Sequence, residues 1–208
     1  MDEQTLLTDG LLAMGLHLSD AQQKQLLAYV HLLMKWNSTY NLTALREADR
    51  IISHHVLDSL SILPFIQDGK TLLDVGSGGG TPGILVAIAR PNVSITLMDS
   101  NSKKTAFLRQ AIVELGLDAE VITGRVESLQ NRSFDYITAR AFAELSDFTQ
   151  LTRHLLAPQG SWVAMKGVYP YEELAQLSDD IEVKGVETVA VPQIDAQRHI
   201  VLMSMKKA

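Results

Sequence analysis

The chain has 208 residues, of which 46% are hydrophobic, and this size and composition predict one globular domain with an elaboration. Cysteine is absent, which excludes disulfides, thiolate zinc sites and cysteine nucleophiles. A formal net charge of −6 argues mildly against a nucleic-acid partner, unless basic residues gather on one face of an acidic body.

Residues 1–68 are predicted to form an N-terminal helical extension. The first residues are acidic and do not form a secretory signal, so we expect a soluble cytoplasmic protein. Ser19 and Gln22 have the spacing of a helix capping box. Apolar residues then recur on one helical face, at Leu26, Val30 and Leu33, before a turn at 41–43.

A second amphipathic run is predicted over residues 54–63, ending before Pro64. It contains two adjacent histidines, His54 and His55, of which we expect one to be exposed and one to lie against the core. No third residue stands at metal-ligand spacing from them, so no metal site is expected.

A glycine-rich turn follows the first predicted strand. The segment 74–83 reads Asp-Val-Gly-Ser-Gly-Gly-Gly-Thr-Pro-Gly, and Asp99 ends the next predicted strand. Glycine lets a backbone approach a ligand closely, and an acid at the second strand tip can accept hydrogen bonds from ribose hydroxyls. Asp74, two residues before the first glycine, favours S-adenosylmethionine as the ligand. The segment 78–83 also spells G-x-G-x-x-G, so a dinucleotide remains the alternative.

Strands and helices alternate from residue 70 onward, which predicts a parallel sheet with helices on both faces. The strands are expected at 71–75, 94–98, 119–122, 135–139 and 161–166. The helices are expected at 82–89, 102–115, 144–156 and 170–177. Segments near 181–190 and 199–206 alternate apolar and polar residues with no long helix between them, which predicts an antiparallel pair.

A seven-stranded, mostly parallel sheet with a terminal antiparallel hairpin is typical of class I S-adenosylmethionine-dependent methyltransferases and not of dehydrogenases. The fold class predicted for this α/β chain is therefore that methyltransferase fold, preceded by the N-terminal helical extension. Residues 69–208 are predicted to be the Rossmann-like methyltransferase domain. The absence of cysteine removes the usual route for methylating C5 of a pyrimidine.

The remaining candidate residues lie at the carboxyl ends of predicted strands, where ligands bind in a doubly wound sheet. Amides near Val126 and Glu127 are placed to bind an adenine edge, or form an ordinary turn. The fourth tip carries Arg140 in place of the Asn/Asp-Pro-Pro-aromatic motif that holds an exocyclic amine, and this arginine either points into the site or pairs with a structural carboxylate. A local basic mouth is predicted from the cations Lys103, Lys104, Arg109, Arg125, Arg132, Arg140 and Lys166, with Arg198 on the same rim.

Over nearly its whole length the chain resembles the glucose-inhibited division protein B family, the small-subunit ribosomal RNA guanine-N7 methyltransferases. The most specific matches are Trp-Asn-x-x-Tyr-Asn-Leu-Thr at 36–43 and Arg-Ala-Phe-Ala at 140–143. Other matches fall at residues 55–59, 74–83, 99–100, 107–109, 125–127, 166–167 and 198–199. Thr81 is a mild departure, because family members often carry leucine there.

The resemblance implies methyl transfer from S-adenosylmethionine to N7 of one guanine in a conserved loop of 16S ribosomal RNA, free or within the small ribosomal subunit or an assembly intermediate. It implies cofactor contacts at Gly76, Thr81, Val126, Glu127 and Arg140, to which the glycine turn adds Gly78 and Asp99. No acid or base is assigned, and positioning is expected from Arg140, Lys166 and Arg198. RNA contacts are expected at Lys103, Arg125, Phe142, Lys166 and Arg198, with Phe142 either stacking on the guanine or packing in the core.

We expect a monomer. Two other functions remain open from the residues alone. One is a small-molecule methyltransferase with the N-terminal helices as a substrate lid, and the other is a cofactor-holding sensor or ribosome assembly factor.

Overall fold

A seven-stranded sheet forms the centre of the computed structural model, which describes residues 2–207. Its strands are β1 (Thr71–Val75), β2 (Ser94–Asp99), β3 (Ala119–Thr123), β4 (Phe134–Arg140), β5 (Leu156–Lys166), β6 (Ile181–Val189) and β7 (Arg198–Met205). The strand order is β3-β2-β1-β4-β5-β7-β6, and only β7 runs antiparallel to its neighbours β5 and β6. This topology confirms the predicted methyltransferase fold class.

Helices cover the sheet and precede it. They are α1 (Glu3–Ala13), α2 (Asp20–Tyr40), α3 (Ala48–Ile51), α4 (Asp58–Leu60), α5 (Gly83–Ala89), α6 (Ser102–Leu115), α7 (Leu145–Thr152) and α8 (Tyr171–Ala175). A π-helical segment, Ile52–Leu57, joins α3 to α4 without a break. Within residues 2–207, no helix combines the length and the apolar character that crossing a bilayer requires.

Helix α2 starts at the predicted capping box. The Gln22 amide donates to Ser19 Oγ at 3.3 Å, and the Ser19 amide donates to Gln22 Oε1 at 3.0 Å. The Gln22 Nε2 group also donates to the carbonyls of Ile88 and Ala89 at the end of α5. Orphan carbonyls at a helix end need such partners. These hydrogen bonds therefore fix the beginning of α2 against the end of α5, one of the helices that cover the sheet.

Successive residues of β1 face opposite sides of the sheet, so the core has two parts. Leu72 belongs to the cluster that includes α5, α6 and the N-terminal helices, whereas Leu73 belongs to the cluster beneath α7. The predicted stripe of α2 is fully buried in the first cluster. The N-terminal helices thus share a core with the sheet, and the boundary at residue 68 stays a prediction.

Three predicted elements were wrong in their bounds. Strand β5 begins at Leu156 instead of 161, because Leu156 already pairs with Phe134 of β4 and the stretch with Pro158 and Gly160 absorbs a shift in register before Ser161. The predicted helix over 144–156 accordingly ends at Thr152, followed by a 3-10 turn. The run at 54–63 is not an independent amphipathic helix, because it continues from Ala48 and is buried on most sides.

Candidate functional site

A cavity of about 470 Å³ opens at the carboxyl ends of the parallel strands. This is where the strand order reverses, between β1 and β4, and where ligands bind in open α/β sheets. Its volume lies within the about 300–1,000 Å³ typical of small-molecule sites. The lining residues are Val75, Gly76, Met98, Asp99, Ser100, Lys104, Gly124, Arg125, Val126, Glu127, Ala141, Phe142, Ala143, Asp147 and Leu151.

Asp99 is held rigidly at the tip of β2. Its Oδ2 accepts a hydrogen bond from the Gly78 amide at 3.0 Å, and its Oδ1 accepts one from the Asn101 amide at 2.8 Å. A carboxylate has about four acceptor positions, so lone pairs remain on both oxygens for a pair of neighbouring hydroxyls. Asp99 can therefore accept from two neighbouring hydroxyls, and its predicted contact with a ribose stays a prediction.

Lys104 is a cavity residue that the sequence analysis did not assign to the cofactor. Its Nζ lies 4.0 Å from Asp99 Oδ2, in the first turn of α6. Asn101 caps that helix by accepting a hydrogen bond from the Lys103 amide, which fixes the direction of the first turn. One signal in the sequence could have identified Lys104. It stands three residues after Asn101, a typical helix-capping residue that closely follows the tip of β2.

The glycine-rich turn is closely packed where helix α5 begins. A Cβ at Gly83 would overlap the Leu97 side chain and lie 2.7 Å from Asp74 Oδ2, so only glycine fits there. Gly76 has a φ of +70°, a conformation that L side chains rarely adopt. The loop thus exposes backbone, and no side chain, to the cavity at Gly76.

Asp74 is fully buried below this loop. Its Oδ2 accepts a hydrogen bond from the Gly83 amide at 3.0 Å, while its Oδ1 has no partner among the described residues. Burial raises the pKa of the Asp74 carboxyl to about 7. The folded protein therefore keeps this proton to a much higher pH than the unfolded chain, whose Asp74 titrates near 3.8.

We expect Asp74→Asn to change how stability depends on pH. The folded state binds the extra proton between about pH 4 and 7, so wild-type stability falls as pH rises through that window and is level above it. The variant lacks this titration, so its melting temperature relative to wild type should increase from pH 5 to pH 8. The increase should be roughly 2–4 °C for each kcal/mol of unfolding free energy that the wild type loses over this range. Thermal melts across this range test it, and parallel pH profiles would contradict it.

Helix α2 also supports the glycine-rich turn directly. The hydroxyl of Tyr29, a fully buried residue, donates to the Gly79 carbonyl at 2.7 Å. The N-terminal helices thus contact the cavity loop through a hydrogen bond in the core.

Tyr29→Phe is expected to leave the half-buried Gly79 carbonyl without its partner. The cost should be about 0.5–1.5 kcal/mol of unfolding free energy, the contribution of a typical hydrogen bond, with a several-fold weaker affinity for a small molecule that binds in the cavity. Denaturant unfolding and calorimetric titration measure the two effects. Tyr40→Phe, at a 44% exposed tyrosine of the same helix, is the matched control and should change neither.

The tips of β3 and β4 complete the cavity. Val126 and Glu127 lie in a short 3-10 turn after β3 and both line the cavity, while their contact with an adenine edge stays a prediction. Ala141 has a φ of +52°, and this left-handed residue turns the chain at the tip of β4. The Phe142 ring then lies over Gly76 and packs edge-on against Phe148, with 6.4 Å between ring centroids.

Arg140 lies in a separate notch of about 50 Å³, which also involves Asp58, Lys166, Arg198 and His199. Its guanidinium donates to Thr81 Oγ1 at 2.7 Å and to Asp58 Oδ2 at 3.1 Å. Arg198 Nε donates to the other oxygen of Asp58 at 3.0 Å. One buried carboxylate therefore holds two predicted positioning arginines, and the predicted contact of Arg140 with the cofactor stays a prediction.

His55 also contacts Arg140. Its Nδ1 lies 2.9 Å from the Arg140 guanidinium and 3.1 Å from the carbonyl oxygen of His54. Its Nε2 lies 2.8 Å from Thr43 Oγ1. Burial and the Arg140 charge lower the pKa of His55 to about 4, so the ring is neutral at physiological pH.

The expectation that one of the two histidines is exposed was wrong. Both His54 and His55 are half-buried, because the element that carries them lies inside the fold and below the β4 tip. Sequence reasoning did not assign His55 or Asp58 a role, although both fall within one of the motifs shared with the resembled family.

The predicted basic mouth is smaller than expected. Arg132 precedes β4 and pairs with Glu120 at 2.6 Å, in a pocket at the amino ends of the strands and away from the cavity, so its inclusion was wrong. Lys166 pairs with Glu173 at 2.6 Å and donates to the Ala143 carbonyl at 3.1 Å. Lys103 is exposed at the start of α6, and Arg125 lines the cavity.

A protein-family model described as "GidB: rRNA small subunit methyltransferase G" matches residues 22–201. The ribosomal RNA small subunit methyltransferase G of Neisseria meningitidis serogroup B is 55% identical over 99% of this chain and 100% of its own length. The protein of the same name from Chromobacterium violaceum is 54% identical over 96% of this chain and 97% of its own length. The chain belongs to the rRNA small subunit methyltransferase G family. It is therefore an S-adenosylmethionine-dependent rRNA methyltransferase.

Solved structures similar to this methyltransferase G family member share its fold. Ribosomal protein L11 methylase from Lactobacillus delbrueckii subsp. bulgaricus has a TM-score of 0.56 and 18% identity, covering 73% of this chain and 77% of its own. A variant of MtNAS solved in complex with S-adenosylmethionine has a TM-score of 0.61 and 16% identity, covering 88% of this chain and 76% of its own.

Proposed function

We propose that this protein transfers the methyl group of S-adenosylmethionine to N7 of a guanine in a conserved loop of 16S ribosomal RNA. The observation that carries the choice of acceptor is the tip of β4. There the chain turns at Ala141 and places Phe142 beside the cavity, with no side-chain motif for holding an exocyclic amine. We further propose that the protein acts as a cytoplasmic monomer.

The cavity residues fit S-adenosylmethionine. The free lone pairs of Asp99 suit the ribose hydroxyls, and the backbone amides of Val126 and Glu127 suit an adenine edge. Gly76 leaves room for close approach of the amino-acid part, while Gly78 fixes Asp99 through its amide. Thr81 contributes indirectly, because its hydroxyl accepts from Arg140.

The acceptor atom requires positioning and no proton transfer. Guanine N7 carries an unprotonated lone pair, so no general base is needed. When bound, S-adenosylmethionine supplies an electrophilic methyl group on its sulfonium. Holding the two reactants in line can contribute about 7–11 kcal/mol of barrier reduction. We assign this alignment to the cavity walls, with Phe142 as the surface on which the guanine stacks.

Cations close to the purine would disfavour the reaction, because the purine gains positive charge when N7 accepts the methyl group. Arg140 and Arg198 share the Asp58 carboxylate, and Lys166 pairs with Glu173. These pairings lower the net charge beside the ring while keeping N–H groups available to phosphates. We assign Arg140, Lys166 and Arg198 to positioning the RNA, with Arg125 and Lys103 as further phosphate contacts.

The burial of α2 argues against the small-molecule alternative. A substrate lid must open, yet Leu26, Tyr29 and Leu33 are fully buried in the core shared with α5 and α6. The steepness of the salt dependence of substrate binding separates the two functions, since only an RNA partner releases many counterions.

Labelled S-adenosylmethionine incubated with small ribosomal subunits and with free 16S RNA tests the proposal. The subunits come from cells that lack this methyltransferase. Label at N7 of one guanine, detected as a site of strand scission after borohydride reduction and aniline treatment, is the expected result. Label on another base atom, or on protein only, overturns the proposal. Cofactor binding without turnover on either substrate would favour a sensor or assembly factor.

A further inference from the structure

An exposed pair of aromatic rings lies where the loop after β5 enters α8, with Tyr169 in the loop and Tyr171 as the first residue of the helix. Tyr171 is 74% exposed and Tyr169 is 37% exposed, with Val168 beside them at 78%. The two tyrosine rings lie 4.2 Å apart between centroids, with 36° between their planes. Exposed aromatic side chains that are already in contact lose little conformational freedom when a third ring is added to the stack.

This tyrosine pair is fixed to the edge of the notch. Tyr169 contacts the ring of His199 edge-on, with 5.5 Å between centroids. His199 is only 4% exposed, lines the notch, and has a buried Nδ1 without a partner among the described residues. His199 pairs in register with Lys166 at the end of β5. The two tyrosines therefore lie next to the cations to which we assign the positioning of the RNA.

We propose that Tyr169 and Tyr171 form a stacking platform for an unpaired base of the substrate RNA that neighbours the methylated guanine. The inference rests on the proposed function, because it takes RNA to be the substrate. Single-stranded RNA is recognised mainly by stacking of splayed bases on aromatic side chains. The platform adds a base contact that lies beyond the residues assigned above to phosphates and to the target guanine.

The local charges favour a base over a phosphate at this platform. Lys166 is neutralised by Glu173, the arginines of the notch share Asp58, and Glu172 follows Tyr171 directly. A phosphate at Tyr171 would lie beside the acidic residue Glu172, whereas a base presents a neutral ring face. The phosphates of the same strand would instead lie toward the notch, where two arginines share one carboxylate and keep N–H groups available, and toward Arg125 and Lys103 at the cavity.

The test compares methylation kinetics of three variants on small ribosomal subunits. Tyr171→Ala should raise KM for the subunit by about 5- to 150-fold with kcat unchanged, which is the effect of losing one stacked base. Tyr171→Phe keeps the ring and should retain most of the affinity. Val168→Ala, at an equally exposed neighbour, is the matched control and should match wild type. Thermal melts should show all three as stable as wild type, since both side chains are mainly exposed.

Each outcome of these kinetic measurements either supports or overturns the stacking platform. An unchanged KM in Tyr171→Ala overturns the platform and leaves the proposed function standing. An equal loss in Tyr171→Phe and Tyr171→Ala also overturns it, because the hydroxyl and not the ring would then carry the contact. Wild-type protein that methylates no ribosomal RNA overturns the proposed function and the RNA base with it. In that case a protein partner would be the occupant to seek.

Discussion

Asp58→Ala is expected to lower the free energy of unfolding by about 3–5 kcal/mol, the typical cost of removing one partner from a buried ion pair. The Asp58 side chain is 7% exposed and accepts from both Arg140 and Arg198. Without it, two guanidinium groups, each about one-fifth exposed, lie side by side with no carboxylate between them. Denaturant unfolding measures the loss.

Asp180→Ala is the matched control for this prediction. Asp180 pairs with Arg153, but both side chains are more than 40% exposed, so its removal should cost at most about 1 kcal/mol. Asp58→Asn should fall between the two, because it keeps one acceptor and loses the charge. Equal losses in Asp58→Ala and Asp180→Ala would show that the shared carboxylate is not a source of stability.

Asp99→Ala should weaken S-adenosylmethionine binding by about 100-fold or more. Two hydrogen bonds from ribose hydroxyls to a carboxylate contribute about 1.5–3 kcal/mol each. The substitution also frees the Gly78 and Asn101 amides, which Asp99 now orients. Isothermal titration with the cofactor measures the change.

Asp99→Asn provides the comparison that separates charge from shape. Asparagine keeps one acceptor oxygen and the volume of aspartate, so we expect a smaller loss of affinity than in the alanine variant. Thermal melts without cofactor report whether the loop has lost its order. Wild-type affinity in Asp99→Ala would contradict both the ribose assignment and the predicted role of this strand tip.

Local patterns in the chain predicted the elements that form the cavity proposed for the cofactor. Glycine spacing, the acids at 74 and 99 and the capping box at Ser19 each act within a few residues, so a sequence alone reveals them. The predicted helix over 102–115 and strand over 71–75 have the observed bounds for the same reason. The error at the start of β5 arose because Pro158 and Gly160 are typical loop residues, whereas pairing with β4 decides their conformation.

The sequence by itself determined the fold class, the family and the residues at the strand tips. Only the tertiary structure decided which of the cations share carboxylates, because partners such as Asp58 and Arg140 are far apart along the chain and meet through the topology of the sheet. The same holds for the Tyr29 contact with Gly79 and for Arg132, which the strand direction places at the opposite edge from the cavity. Local patterns specify elements, but long-range packing decides which charges and rings become neighbours.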